Sequence, residues 1–152
     1  MEPVDFGILL GLSYTRFVQE LRAALASEGF DDLGTNDGYV VRILAERPIS
    51  TSDLAREMAI TKQGAGHVVA DLEARGYVTR APHPVDGRTQ LVALSERGDA
   101  LLAAARRFHR QYERKLGRRM GIDVVADARR VLTAVVEGDE DRPNTSRRLR
   151  PF

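Results

Sequence analysis

The sequence predicts a mainly α protein interrupted by one β-hairpin, and three observations carry that prediction. Apolar residues recur at helical spacing over most of the chain. The period then changes to strand-like runs at "YVTRA" and "TQLVAL". Between those runs, residues 82–88 form a segment too long for a tight two-residue turn. The expected order is four helices, the hairpin, and two further helices.

The first helix is expected over residues 3–27, where Phe6, Leu9, Leu10, Phe17, Leu21 and Leu25 fall near helical spacing and Gly29 supplies a stop. Its first half is apolar nearly all round, which predicts burial against more than one neighbour. In "TNDGYVVRILAERP", Thr35, Asn36 or Asp37 can cap a helix that carries Tyr39, Val40, Ile43 and Leu44 and ends at Pro48. Gly38 weakens the start of that helix. "STSDLAREMA" offers Ser50 or Thr51 as a cap, with Leu54 and Met58 four apart on one face. "TKQGAGHVVADLEARG" offers Thr61 as a cap and Gly76 just past the end, and Ala65, Val68, Val69 and Leu72 follow the i, i+3, i+4, i+7 pattern. So few residues separate these two helices that together they form a helix-turn-helix pattern. After the hairpin, Ser95 caps a helix with Leu101, Ala105, Phe108, Tyr112 and Leu116 along one stripe. "IDVVADARRVLTAVVEG" repeats the pattern with Val124, Ala128, Val131, Leu132 and Val135, and Gly138 lies near its end.

The 152 residues suit one domain, and 43% hydrophobic with 30% charged residues is the balance of a soluble globular protein. The absence of cysteine excludes disulfides, thiolate metal ligands and thiol redox switching. The apolar run "FGILLGL" is far shorter than a membrane span and no basic segment precedes it, so a cytoplasmic location is expected. Net charge is only +1 and argues little for a polyanionic partner. Charge is uneven, however: "RRFHRQYERKLGRR" is basic, "EGDED" is acidic, and the arginine-rich "RPNTSRRLRPF" follows. Such runs also suit a solvated helix face and a frayed terminus.

At about 100° per residue, the fourth helix turns Ala65, Val68, Val69 and Leu72 inward and Gln63, Gly66, His67 and Ala70 outward, with Lys62 at the edge of the outer face. Gln63 can pair with the N6 and N7 edge of adenine, Lys62 fits a phosphate or guanine, and His67 suits a base edge or phosphate. Gly66 and Ala70 would let the backbone approach a groove closely. Gly64 and Gly66 each cost roughly 1 kcal/mol relative to alanine inside a helix, so a loop is the competing reading of this stretch. A polar outer face is also what any surface helix has. The hairpin loop adds Arg88, with Asp86 close enough to orient its guanidinium by a charge-assisted bond. Pro82, Pro84 and Gly87 shape the turn. His67, His83 and His109 show no metal-ligand spacing, and no nucleophile–base pair or phosphate loop is present, so neither a metal site, a cofactor nor an enzyme is expected.

Residues 53–98, "DLAREMAITKQGAGHVVADLEARGYVTRAPHPVDGRTQLVALSERG", resemble the winged helix-turn-helix of the MarR (multiple antibiotic resistance regulator) family. The most specific matches are "DLEARGYVTR", then Pro84, Asp86, Gly87 and Arg88, then Val92, Leu94, Ser95 and Gly98. The resemblance implies a bacterial transcription regulator built on a three-helix core with a β-hairpin wing, flanked by N- and C-terminal dimerisation helices. It implies a homodimeric repressor bound to a pseudo-palindromic operator in double-stranded DNA, with half-sites about one turn apart. The helix carrying Thr61, Lys62, Gln63, Gly66, His67 and Ala70 would enter the major groove, and Arg88, beside Asp86, the minor groove. A small aromatic or anionic effector would release the repressor, and Tyr14, Phe17, Tyr39, Phe108 and Tyr112 are candidates to line its cleft, although aromatic residues at helical spacing also suit a core. His83 departs from the pattern, standing where the family commonly has an acidic residue.

The expected organisation is a helical dimerisation region over 1–34 and 95–138, a DNA-binding region over 35–94, and a charged, flexible tail over 139–152. The same helices also suit an intramolecular helical core. A competing reading is a winged-helix module that binds a ligand or protein without recognising an operator. Its support is the balance within residues 48–94, where Arg56, Lys62, Arg75, Arg80 and Arg88 face Asp53, Glu57, Asp71, Glu73 and Asp86.

Overall fold

The computed structural model describes residues 4–138, so the expected tail over 139–152 lies outside the described residues. The chain divides between Leu33 and Gly34 into two compact units. The first contains α1 (Phe6–Ser27) and its C-terminal turn. Gly29, at φ +91°, closes that helix: its N–H donates to Ala26 O and the Phe30 N–H donates to Leu25 O, each at 3.0 Å, the paired bonds of a Schellman stop. The apolar first half does not find the burial expected of it. Phe6, Ile8, Leu9, Leu12 and Tyr14 remain between 46% and 59% exposed.

The second unit begins with α2 (Asp37–Leu44), followed by β1 (Ile49–Ser50), α3 (Thr51–Met58) and α4 (Lys62–Ala74). Asn36 occupies the N-cap position of α2 without a side-chain cap bond, and the helix ends at Leu44 rather than at Pro48. The residues after it are drawn into β1, a third strand that the sequence pattern does not reveal, since two residues carry no period. Ser50 and Thr61 cap their helices as expected, accepting the N–H groups of Asp53 at 3.1 Å and Gly64 at 3.0 Å. Gly64 and Gly66 both lie inside α4, which rules out the loop reading. Gly76, at φ +78°, ends α4 with the same stop that ends α1: the Tyr77 N–H donates to Leu72 O and the Gly76 N–H to Glu73 O.

Strands β2 (Val78–Pro82) and β3 (Gln90–Leu94) form the hairpin, and β1 adds to the far edge of β3, giving the antiparallel order β1-β3-β2. Val78 pairs with Leu94, Pro82 with Gln90, and Ile49 with Val92. The core of this unit gathers Val40, Val41, Leu44, Ile49, Leu54, Ala65, Val69, Leu72, Tyr77 and Val92. The expected inward face of α4 is correct at Ala65, Val69 and Leu72, while Val68 is half-buried. The unit continues in α5 (Glu96–Met120), capped by Ser95, and α6 (Ile122–Glu137), which packs against α5. On the α5 stripe Leu101 is buried, whereas Ala105, Phe108, Tyr112 and Leu116 are half-buried. No residue of α6 is buried, and Val124, Val131, Leu132 and Val135 are between 48% and 55% exposed. Among the described residues no helix is long and apolar enough to cross a membrane. The fold is therefore mainly α, with a three-helix core and a small sheet whose hairpin projects as a wing.

Candidate nucleic-acid interface

Helix α4 packs on α3 through one apolar face, and the opposite face carries the residues singled out in the sequence. Thr61, Lys62, Gln63, His67 and Ala70 are exposed, and Gly66 is half-buried with open space where a Cβ would stand. Gly64 has a local reason to be small: a Cβ there would lie 3.2 Å from the capping Thr61 Oγ1. The helix therefore tolerates two glycines because tertiary packing and its cap offset their weak intrinsic preference.

The wing loop, residues 83–89, is closed by its own hydrogen bonds. The His83 N–H donates to Thr89 O at 2.8 Å, and the Thr89 N–H to Asp86 O at 2.9 Å. Asp86 Oδ1 accepts the Arg88 backbone N–H at 3.2 Å, and Oδ2 accepts the Thr89 hydroxyl at 2.8 Å. This corrects the expectation that Asp86 holds the Arg88 guanidinium. The carboxylate is occupied with the backbone and Thr89, so it shapes the loop, and Arg88 is exposed. His83 also acquires a role. Its Nδ1 accepts the N–H groups of Val85 and Asp86, each at 3.1 Å, in the manner of an Asp or Asn side chain at the head of a turn. The departure from the acidic pattern thus conserves the acceptor and changes its chemistry. Val85 stands at the tip, 91% exposed.

The near-neutral balance of residues 48–94 is resolved in space. Arg56 pairs with Asp53, Arg80 with Glu73 at 3.0 Å, and Arg75 with Asp37 and Asp71. Lys62 and Arg88 have no ion-pair partner among the described residues. Two cations are thus left uncompensated, one in the first turn of α4 and one on the wing.

In the sequence Asp37 stands out only as a possible helix cap and Gly98 only as a family match, and the contacts that hold this arrangement are not legible there. Asp37 is only 4% exposed, and its carboxylate receives Arg75 Nη1 at 2.6 Å, Arg75 Nη2 at 3.2 Å and the Gly34 N–H at 2.6 Å. Asp37, followed by Asp71, holds the Arg75 guanidinium firmly protonated against the opposing effect of burial. The pair joins the end of α4 to the start of α2 across thirty-eight positions, a distance that no local pattern spans. Tyr77, wholly buried, lies beneath the Arg97 guanidinium at 4.6 Å from the ring centroid and receives a bond from it at its hydroxyl. Gly98 meets the same residue: a Cβ there would stand 2.2 Å from Tyr77 O.

The aromatic candidates for an effector cleft are dispersed in role. The Tyr39 hydroxyl donates to Glu57 O at 3.1 Å, and Phe108 and Tyr112 pack with ring centroids 5.6 Å apart. Tyr14 is exposed and Phe17 half-buried on α1. Two open cavities are lined by other residues. One, of about 360 Å³, lies on α5 beside Arg106, Arg107 and Arg110; the other, of about 340 Å³, lies between Arg47, Ser50, Asp53 and the wing residues His83, Asp86 and Thr89. Among the described residues no group of three or more His, Asp or Glu side chains is arranged to hold a metal ion.

This architecture is shared with solved structures. The chain is similar to RV1404 from Mycobacterium tuberculosis, with a TM-score of 0.75 at 21% identity, over 93% of this chain and 99% of that one. It is also similar to FabT of Streptococcus pneumoniae, crystallised in complex with DNA, with a TM-score of 0.69 at 20% identity, over 86% and 94% of the two chains. The class is thus a winged helix-turn-helix protein. Residues 31–89 match the model of the MarR family. In sequence, the chain is 35% identical over 82 residues to an uncharacterized HTH-type transcriptional regulator of Mycobacterium bovis, covering 43% of this chain. The match spans 57% of that relative's length.

Proposed function

We propose that the chain is a sequence-specific, DNA-binding transcription regulator, acting in the cytoplasm as a homodimeric repressor that a small aromatic or anionic ligand releases. The observation that carries this reading is the pattern of ion pairing. Three of five basic side chains in residues 48–94 are neutralised locally, while Lys62 on α4 and Arg88 on the wing are left to meet phosphate. Thr61, Lys62, Gln63, Gly66, His67 and Ala70 form the groove-facing surface of α4; Gln63 reads a base edge, and Lys62 contacts phosphate. Arg88 enters the minor groove from a loop that Asp86 shapes. The DNA complex of FabT supports the assignment by likeness of fold.

A winged-helix module without operator recognition rests on overall neutrality, and local pairing removes much of that support. The dimer reading draws on the uncovered apolar faces of α1 and of α6, each of which a second copy would bury. A gel-shift assay with DNA upstream of the chain's own gene tests the central proposal. Retardation that is sequence-specific and falls steeply with salt is expected, and indifference to sequence overturns it. Reporter expression from the same DNA, with and without the chain, tests repression directly.

A further inference from the structure

We propose that His83 is a positioning residue for the wing: its unprotonated Nδ1 holds loop 83–89 in the form that presents Arg88, so imidazole protonation weakens DNA binding although it adds positive charge. The proposal rests on the DNA-binding reading above and adds a pH-dependent element to it.

The geometry sets the protonation state. Nδ1 accepts two backbone N–H groups, from Val85 and Asp86. An imidazole nitrogen accepts only through its in-plane lone pair, so the proton of the neutral ring must sit on Nε2. Pro84, between donor and acceptor, brings no N–H of its own, and a single acceptor therefore serves the whole ascending side of the loop. The connection to the arginine is short. Nδ1 fixes the Asp86 backbone, the Asp86 carboxylate fixes the Arg88 N–H and the Thr89 hydroxyl, and Thr89 returns a carbonyl to the His83 N–H.

A proton on Nδ1 turns the acceptor into a donor facing two donors, so the imidazole must leave the Val85 and Asp86 N–H groups and the loop loses that restraint. The charged groups sharing the adjoining cavity are Arg47 from the α2–β1 connection, Asp53 from α3 and Asp86 from the loop itself. Asp53 is already bonded to Ser50 and Arg56, and Asp86 to Arg88 and Thr89. Two effects of acidification then oppose one another. Added charge near phosphate tightens binding, whereas release of the loop scatters Arg88 over many positions and weakens it. The second is the larger, because the arginine is useful only where the loop holds it.

The test uses the full chain and a duplex that the wild type selects from a random-sequence pool at about pH 8, with affinity measured there and near pH 6, the range in which histidines change charge. His83→Asn keeps a turn-head acceptor that does not titrate, and His83→Ala removes it. Wild type is expected to lose about tenfold more affinity on acidification than His83→Asn, the scale of one or two hydrogen bonds. His83→Asn should match wild type at the higher pH, while His83→Ala should be weaker at both. His67 and His109 are present in every variant, so the comparison between variants isolates His83; His109 is held below the usual imidazole range by desolvation and then by Arg42. Nitrogen-15 spectra of the DNA-free chain should show the His83 proton on Nε2. A wild-type pH profile in His83→Asn, or wild-type affinity in His83→Ala, overturns the proposal, as does a proton on Nδ1. If no duplex is selected, the DNA-binding reading itself fails, and the tautomer still decides whether the imidazole caps the loop.

Discussion

Arg88 owes its availability to what Asp86 does instead of pairing with it. With the carboxylate committed to the Arg88 backbone and to Thr89, the guanidinium has no local partner to give up on meeting phosphate, so no internal ion pair must be broken. Arg88→Ala should therefore weaken binding to all sequences and lower the salt slope by about 1, as titration of affinity against salt would reveal. An unchanged slope would remove Arg88 from the interface. Gln63→Ala should act differently, relaxing preference at one base pair by about 1–3 kcal/mol in a panel of single-base operator variants. Asp37 is a stability residue on the same scale. Asp37→Ala leaves Arg75 half-buried beside Asp71 alone and should cost about 3 kcal/mol in urea unfolding, while Asp71→Ala, at an exposed carboxylate, should cost under about 1 kcal/mol. Of these residues, Arg88 and Gln63 were legible because their placement follows from local spacing. The partnership of Asp37 with Arg75 was not, since it depends on two helices meeting.

Helix ends form the next scale. Ser50, Thr61 and Ser95 each cap the helix that follows, and each was legible because an N-cap bond reaches only three residues along the chain. Thr61→Ala should lower stability by about 1 kcal/mol, and binding should fall with it as the first turn of α4 frays around Lys62. Gly98 marks a tighter junction. Adding a methyl against Tyr77 O forces α5 away from the residue that leads from α4 into β2, so Gly98→Ala should cost on the order of 1–3 kcal/mol in thermal unfolding. A stability equal to wild type would show that α5 shifts freely. The strand β1 was invisible in the sequence for the opposite reason: its two residues become a strand only by pairing with β3.

For the whole molecule, the uncovered apolar faces of α1 and α6 set the main prediction. Sedimentation should find a dimer at micromolar concentration, and a stable monomer would overturn the arrangement. Val131→Glu with Val135→Glu should shift the chain to monomer with little loss of helical signal, because neither side chain is buried within its own chain. Loss of operator affinity in that variant, with the wing intact, would tie recognition to two half-sites rather than one.

The sequence by itself determined the helices, the caps of α3, α4 and α5, the hairpin and the outward face of α4, because each follows from spacing and from bonds between near neighbours. It also placed Arg88 on a turn-rich loop and marked His83 as unusual. Only the tertiary structure decided that Asp86 shapes the loop instead of holding the guanidinium, and that His83 serves as its acceptor. Only it separated the paired basic residues from the unpaired ones and so gave the near-neutral segment two exposed cations. The physical reason is common to all of these. Charge pairing and backbone capping depend on where side chains arrive after packing, and composition records only that opposite charges are present.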